Sequence, residues 1–191
     1  MYLVFDTETT GLPKNYRAPI SDLDNWPRLV QLSWAWFDQD GQAWDRYDYI
    51  VKPDGFIIPE EATKIHRISQ DQAAAEGHEI QEVLSEFAEQ LVRAEALVGH
   101  NIDFDDKIIG SEFYRYQVPN ELEAAKKICT MKTGAEVCKI SNGRGGYKWP
   151  NLAELHRCLF ERDFEDAHNA MVDVLACARC FFEIRRRGVI V

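Results

Sequence analysis

Asp6 and Glu8 stand two residues apart at the end of the apolar run Tyr2-Leu3-Val4-Phe5. In a strand, the period of two turns both carboxylates to one side of the sheet. Like charges side by side at the edge of a core are costly unless water solvates them, a proton neutralises one, or a cation lies between them. Taken alone, the pair is satisfied as a solvated turn. Asp173 changes the balance: with Cys177, Cys180 and Ile184 it follows i, i+4, i+7, i+11 spacing, so it heads an otherwise apolar ridge of a helix. A carboxylate there needs a partner, such as an Arg, a backbone cap or a metal. His168, five residues earlier, falls near that helix's start, where an ordinary surface histidine is the plain reading. Asp103 follows the run Leu97-Val98-Gly99, the end of a strand at which α/β sheets present ligand-binding groups. As an acid in the first turn of a helix it is equally well explained by the macrodipole.

The elements that must position these residues are readable from pattern. Tyr2 to Phe5, Val30 to Phe37 and Trp44 to Val51 read as three strands, antiparallel neighbours, with a long proline-containing loop, Pro13 to Pro27, between the first two. Ser69-x-x-Gln72 resembles a capping box, and Ile80, Val83, Leu84, Phe87 and Leu91 repeat at helical spacing. Ala96 to Val98 reads as a fourth strand, leading into a helix carrying Phe104, Ile108, Phe113 and Tyr116. Lys127 to Cys129 reads as a short fifth strand, and strand-helix-strand succession there predicts parallel pairing. Asn151-x-x-Glu154 predicts the cap of another helix, and the last helix is predicted from about His168 to Arg187.

A chain of 191 residues, 46% hydrophobic and 28% charged, can bury a core without staples and is read as one domain, 1–191. No run approaches the roughly 20 apolar residues that span a bilayer, so a cytoplasmic protein is expected. Five free cysteines suit a reducing compartment. Cys177-x-x-Cys180 lacks a second ligand pair and reads as core packing rather than zinc. The net charge of −10 disfavours a protein that coats duplex DNA, whose nonspecific grip comes from Lys and Arg. The charge is uneven, because Lys126 to Lys148 holds six basic residues against Glu136 alone, a window of +5 that leaves −15 elsewhere. With Tyr147 and Trp149, that window suits the phosphates and bases of a strand; a solvated basic face explains it equally well.

The order DTETTGL (Asp6 to Leu12), HNIDFD (His100 to Asp105) and HNAMVD (His168 to Asp173) resembles the three motifs of the DEDDh group of 3′-5′ exonucleases in the ribonuclease H-like superfamily, which includes the proofreading epsilon subunit of bacterial DNA polymerase III. KIHRIS (Lys64 to Ser69) is similar to a segment that usually reads T-x-I-H-G-I, with Arg67 in place of the usual Gly, and KWPNLAELH (Lys148 to His156) resembles the segment before the last motif. The resemblance implies a ribonuclease H-like α/β fold, a mixed five-stranded sheet flanked by helices. It implies that Asp6, Glu8, Asp103 and Asp173 hold two divalent ions, Mg²⁺ or Mn²⁺, about 4 Å apart. It casts His168 as the base that takes a proton from water. It assigns Thr9, Leu12, His66, Asn101 and Phe104 to the terminal nucleotide; for His66, a plain core or surface histidine is an equal alternative. The expected activity is 3′-5′ hydrolysis of single-stranded or frayed DNA to nucleoside 5′-monophosphates, with a polymerase or other replication partner conceivable. Two rivals remain: a 3′-5′ exoribonuclease or oligonucleotide-degrading enzyme of the same group, and a nucleic-acid-binding module that has lost the chemistry. The second rival usually lacks an acid, and none is missing here. An aspartate-nucleophile phosphatase needs Asp-x-Asp where this strand has Asp6-Thr7-Glu8.

Overall fold

The computed structural model describes residues 1–164 and 169–189. Among them the strands are β1 (Tyr2–Thr9), β2 (Leu29–Phe37), β3 (Ala43–Ile50), β4 (Ala96–Gly99) and β5 (Lys127–Cys129). The helices are α1 (Glu60–His66), α2 (Gln70–Glu76), α3 (Ile80–Leu91), α4 (Ile102–Tyr116), α5 (Thr130–Cys138), α6 (Leu152–Phe160) and α7 (Ala170–Arg186). The sheet order is β3-β2-β1-β4-β5. Both pairs among β1, β2 and β3 are antiparallel, while β4 runs parallel to β1 and β5 parallel to β4. This is the mixed five-stranded α/β sheet expected from the sequence.

Alternation along β1 divides the core. Leu3 and Phe5 join Leu32, Trp34, Trp36 and Leu97 against Phe87 of α3 and Ile108 and Phe113 of α4. Tyr2 and Val4 point the other way, with Ala35, Phe37 and Val98, against Val174, Cys177 and Phe181 of α7. The sheet is therefore covered on both faces, which suits its run of buried apolar residues. The same period carries Asp6 and Glu8 onto the α7 face and Thr7 onto the α4 face.

The capping prediction at Asn151 holds in full. Its side chain accepts from Glu154 N, and Glu154 returns the bond to Asn151 N. At Ser69 only half of the box forms: Ser69 Oγ accepts from Gln72 N, and the Gln72 side chain donates to Glu76. The last helix is capped by Asn169, which accepts from Val172 N at 3.2 Å, so it begins at Ala170 rather than His168. The helices α1 and α5 were not anticipated; α1 starts directly after Pro59 and spans only seven residues, too few to show a periodic stripe. Arg67 caps α1 at φ 66°, in the left-handed region, which explains why glycine is usual at this place in the resembling segment.

The 13–27 loop contains neither helix nor strand. Asn25 ties its ends to Asn15 through two hydrogen bonds, and the buried Trp26 donates to the carbonyl of Pro19. The loop returns the chain to Arg28, whose backbone exchanges bonds with Thr10 just past β1. Behind this junction Glu112 of α4, fully buried, accepts from Arg28 Nε at 2.8 Å and Leu29 N at 3.1 Å, with Arg115 Nε at 3.3 Å. Breaking a buried pair from one side leaves the partner charge uncompensated. Glu112→Ala is expected to cost about 3 kcal/mol or more in urea unfolding, and Glu112→Gln, which keeps an acceptor for Leu29 N, clearly less. Equal stability of the two variants would remove this network from the account of how the Thr10 junction is held.

Candidate active site

The strand β1 ends in a β-bulge between Glu8 and Thr9, where its register with β2 shifts. Bulges bend a strand and re-aim side chains at the rim of a sheet. Just before it, Asp6 lies opposite Ser33 and Glu8 opposite Gln31. On the same face Asp173 enters from the first turn of α7, and one carboxylate oxygen from each of Asp6, Glu8 and Asp173 lies within 4.8 Å of the others. Asp105 comes from the first turn of α4, on the other side of the strand. It is buried and accepts from Thr7 N at 3.1 Å and Thr7 Oγ1 at 2.6 Å, so it is fixed to the residue between Asp6 and Glu8.

The electrostatics follow from this crowding. Burial, then the charges of Asp105, Asp173 and Glu8, hold the Asp6 carboxyl well above the usual carboxylate range. Burial, then Asp173 and Asp105, push Glu8 up to about 8. Burial pushes Asp105 up to about 7 even though the two Thr7 bonds favour its anion. Folding thus gathers acids that cannot all ionise cheaply in a dry setting. Their donor set is oxygen alone, which matches hard divalent cations. The residues present therefore fit the metal implied by the motifs, with Asp6, Glu8 and Asp173 forming the group that could hold an ion and Asp105 beside it.

Asp103 is not brought to this group. Two residues from Asp105 on a helix, it lies about 200° around the axis. Its side chain is 65% exposed and pairs with Lys132 Nζ at 2.5 Å. Asp105 instead occupies the buried stripe with Ile102, Ile108 and Ile109. The signal was present in the sequence, because an acid on an apolar stripe is the criterion that singled out Asp173. His168 lies outside the described residues.

Of the residues expected near a terminal nucleotide, Thr9 is buried and its Oγ1 donates to the carbonyl of Gly11 at 2.7 Å, shaping the turn before Leu12. Leu12 is 74% exposed. His66 is buried, with Nδ1 accepting from Ile68 N at 3.1 Å; burial lowers its basicity, so it is a neutral ring holding the turn at Arg67. Asn101 adopts the left-handed conformation, φ 67°, between β4 and α4, and Phe104 packs against the α3 and α4 core.

Two residues that sequence reasoning passed over brace the site. Gln31 is buried; its Nε2 donates to Asp48 at 2.7 Å, and its Oε1 accepts from Ala170 N at 3.4 Å, which ties the start of α7 to the sheet beside Glu8. His100 bridges Thr130 Oγ1 at 3.0 Å and the carbonyl of Pro150 at 3.1 Å, and burial lowers it to about 4, so it is a neutral strut at the exits of β4 and β5.

Residues 3–181 match the family profile described as Exonuclease. The chain belongs to this exonuclease family. The exonuclease chain matches none of the curated protein sequences. Among solved structures it is similar to exonuclease I of E. coli in complex with a dT13 oligonucleotide, with TM-score 0.76 and 20% identity over 98% of this chain and 41% of that one. A zinc-bound form of the E. coli exonuclease I complex with single-stranded DNA gives TM-score 0.73 and 20% identity over 97% and 40%. Exonuclease X in complex with 5′ overhanging duplex DNA gives TM-score 0.67 and 22% identity over 98% and 93%. The exonuclease chain thus spans about two fifths of exonuclease I and nearly all of exonuclease X. At these identities the likeness shows the shared fold.

The raised carboxyls fix the sign of a pH effect. An acid whose folded pKa lies above its unfolded value holds more protons folded than unfolded between the two, so stability falls as pH rises through that window. For Glu8 the window runs from the ordinary 4.5 to about 8, and for Asp105 from 3.8 to about 7. In chelator, the melting temperature is expected to fall between about pH 5 and 8, and Mn²⁺ or Mg²⁺ at pH 8 to restore it. A flat metal-free profile, or no rise with either ion, would refute the crowded-acid account.

Proposed function

We propose that the chain is a metal-dependent 3′-5′ exonuclease that removes nucleotides from the 3′ end of single-stranded or frayed DNA, releasing nucleoside 5′-monophosphates. One observation carries this reading: one carboxylate oxygen from each of Asp6, Glu8 and Asp173 lies within 4.8 Å of the others, with Asp105 fixed beside them, at the rim of an exonuclease-family sheet. The four carboxylates would serve as ligands for two divalent ions, Mg²⁺ or Mn²⁺, with Asp105 taking the place expected of Asp103. Divalent ions bound there would neutralise the acids and polarise a phosphodiester oxygen.

The chain's own residues supply the rest. The Thr7 backbone N–H and hydroxyl hold Asp105 as an acceptor turned toward β1. Gln31 and the Asn169 cap set the first turn of α7, from which Asp173 projects. His168, just before that turn in sequence, takes the proton of the attacking water, a task suited to an imidazole near neutrality. The water oxygen bonds to phosphorus, the bond from phosphorus to the preceding 3′ oxygen breaks, and that oxygen leaves with the bonding pair and takes a proton from solvent water to become a hydroxyl. Leu12, exposed beyond the Thr9 turn, packs on the terminal nucleotide. DNA is favoured as substrate because solved structures similar to this one include exonucleases described with a dT13 oligonucleotide and with overhanging duplex DNA. The zinc-bound relative supports a divalent ion at such a site. The compartment is the cytoplasm; no described helix is long and apolar enough to cross a membrane. A polymerase partner rests on the motif likeness to the epsilon subunit alone.

The test uses 5′-labelled DNA and RNA oligonucleotides with Mn²⁺ or Mg²⁺. DNA is expected to shorten stepwise from the 3′ end, faster than RNA, and a chelator to stop it. Asp105→Asn is expected to lose more than the roughly 10- to 100-fold typical of residues that only orient a ligand, while Asp103→Asn keeps activity within a few-fold. A reversed pattern would return the fourth position to Asp103. His168→Ala is expected to slow turnover by roughly 10²- to 10⁴-fold with Mn²⁺ binding, read by calorimetry, unchanged; equal loss of metal affinity would remove the base role.

A further inference from the structure

The basic window noted in the sequence is a built structure. Lys148 N donates to the carbonyl of Ile140 at 2.9 Å, Asn142 N to that of Gly146 at 2.9 Å, and Ser141 bridges Tyr147 in antiparallel register. The Asn142 side chain accepts from Arg144 N at 2.8 Å and Gly146 N at 3.1 Å, closing the tip. Gly143 and Gly145, at φ 72° and 87°, supply the left-handed conformations that this tip needs. A small hairpin thus presents Arg144 at its end, with Tyr147, Lys148 and Trp149 following on its return arm.

Lys148 is occupied by Glu154, Lys132 by Asp103 and Lys127 by Asp106. Among the described residues Lys139 and Arg144 have no acidic partner, and both are exposed. Tyr147 is 46% and Trp149 62% exposed, so two large rings stand out of the core beside two unpaired cations. A solvated basic loop has no use for the rings, and an acidic surface would be met by the cations alone. Rings with cations beside them fit bases and phosphates together.

The hairpin also stands at the right end of the sheet. Because β1, β4 and β5 are parallel, their exits share one edge, where β1 ends in the carboxylates. His100, at the exit of β4, binds the carbonyl of Pro150, the residue after Trp149. We propose that this hairpin is a platform for single-stranded DNA upstream of the 3′ terminus, with bases stacking on Tyr147 and Trp149 and phosphates pairing with Arg144 and Lys139. The platform rests on the exonuclease reading and adds a dependence on substrate length that the carboxylates by themselves do not create.

The experiment compares an oligothymidylate of about 15 nucleotides with a thymidine dinucleotide, within the site sizes usual for single-strand grooves. Binding is read by fluorescence anisotropy in chelator, and hydrolysis separately with Mn²⁺. In Tyr147→Ala/Trp149→Ala, binding of the long strand is expected to weaken roughly 10-fold or more and its KM to rise equally, with kcat and dinucleotide turnover unchanged. Arg144→Ala should reduce the slope of log affinity against log salt by about 0.7, one phosphate contact on a single strand. Unchanged long-strand affinity in the double variant, or equal losses for both lengths, overturns the platform. Wild-type protein that binds the long strand through the hairpin but hydrolyses neither substrate would instead overturn the exonuclease reading and leave the platform standing.

Discussion

The repulsion among Asp6, Glu8, Asp105 and Asp173 is the constraint to which the rest of this structure answers. In water four carboxylates would drift apart; here they are attached to elements whose positions are fixed by apolar packing elsewhere. Leu3, Phe5, Tyr2 and Val4 clamp β1 between two cores, so its last residues cannot move away from α4 and α7 without opening both. The energy of burial, spread over many side chains, holds together a few groups that disfavour one another. Such stored destabilisation becomes affinity for whatever neutralises it, which makes a strained acidic site and a cation-binding site two descriptions of one arrangement.

The polar residues around the cluster divide the work of keeping it in shape. Thr7 donates twice to Asp105 from the face opposite to Asp6, so the strand itself separates the fourth acid from the other three while keeping it close. On the α7 face the residues across from Asp6 and Glu8 are Ser33 and Gln31, both buried and both bonded to Asp48 of β3. Without Asp48 the amide of Gln31 could rotate; with it, the carbonyl end is turned toward the first turn of α7. Further out, Glu112 and Arg28 fasten the chain where β1 hands over to the Leu12 turn. Each of these bonds lies behind an acid or a substrate-facing turn, a placement expected where geometry must survive repulsion.

Much of this was legible in the sequence, and what was missed has a physical cause. Period-two alternation located the strands, and the spacing of Asp173, Cys177, Cys180 and Ile184 gave an acid on a buried ridge, since both patterns record the same fact, which face meets the core. The same test applied to α4 selects Asp105, which shares a stripe with Ile102, Ile108 and Ile109; Asp103 was preferred through proximity to the strand end, a weaker criterion than helical phase. Gln31 and His100 carried no signal, because a buried amide or imidazole is defined by partners distant in the chain, Asp48 and Ala170 for one, Thr130 and Pro150 for the other. Ser69 and Asn151 show how local rules divide: both side chains cap their helices, but only Glu154 closes the box, while the Gln72 side chain reaches along its helix to Glu76.

Charge placement reconciles an acidic protein with the anionic substrate proposed for it. A net −10 opposes approach of a polynucleotide at long range, but at physiological ionic strength that field is screened within about 8 Å, so local charges decide how a strand docks. Near the carboxylates the exposed acid on α4, Asp103, is already paired with Lys132, and Asp106 with Lys127, which removes two negative charges from the path beside β5. Among the described residues, two exposed cations without such partners, Lys139 at the C-cap of α5 and Arg144 at the tip of the hairpin, stand near the point where His100 binds the carbonyl of Pro150. Asp103 therefore has a part in the site's surroundings although it is not among the clustered acids: its pairing with Lys132 leaves that point of α4 without a net negative charge. A chain with uniform acidity could bind cations and still repel a nucleic-acid strand; here the acids are concentrated in one cluster and neutralised or reversed along the proposed approach.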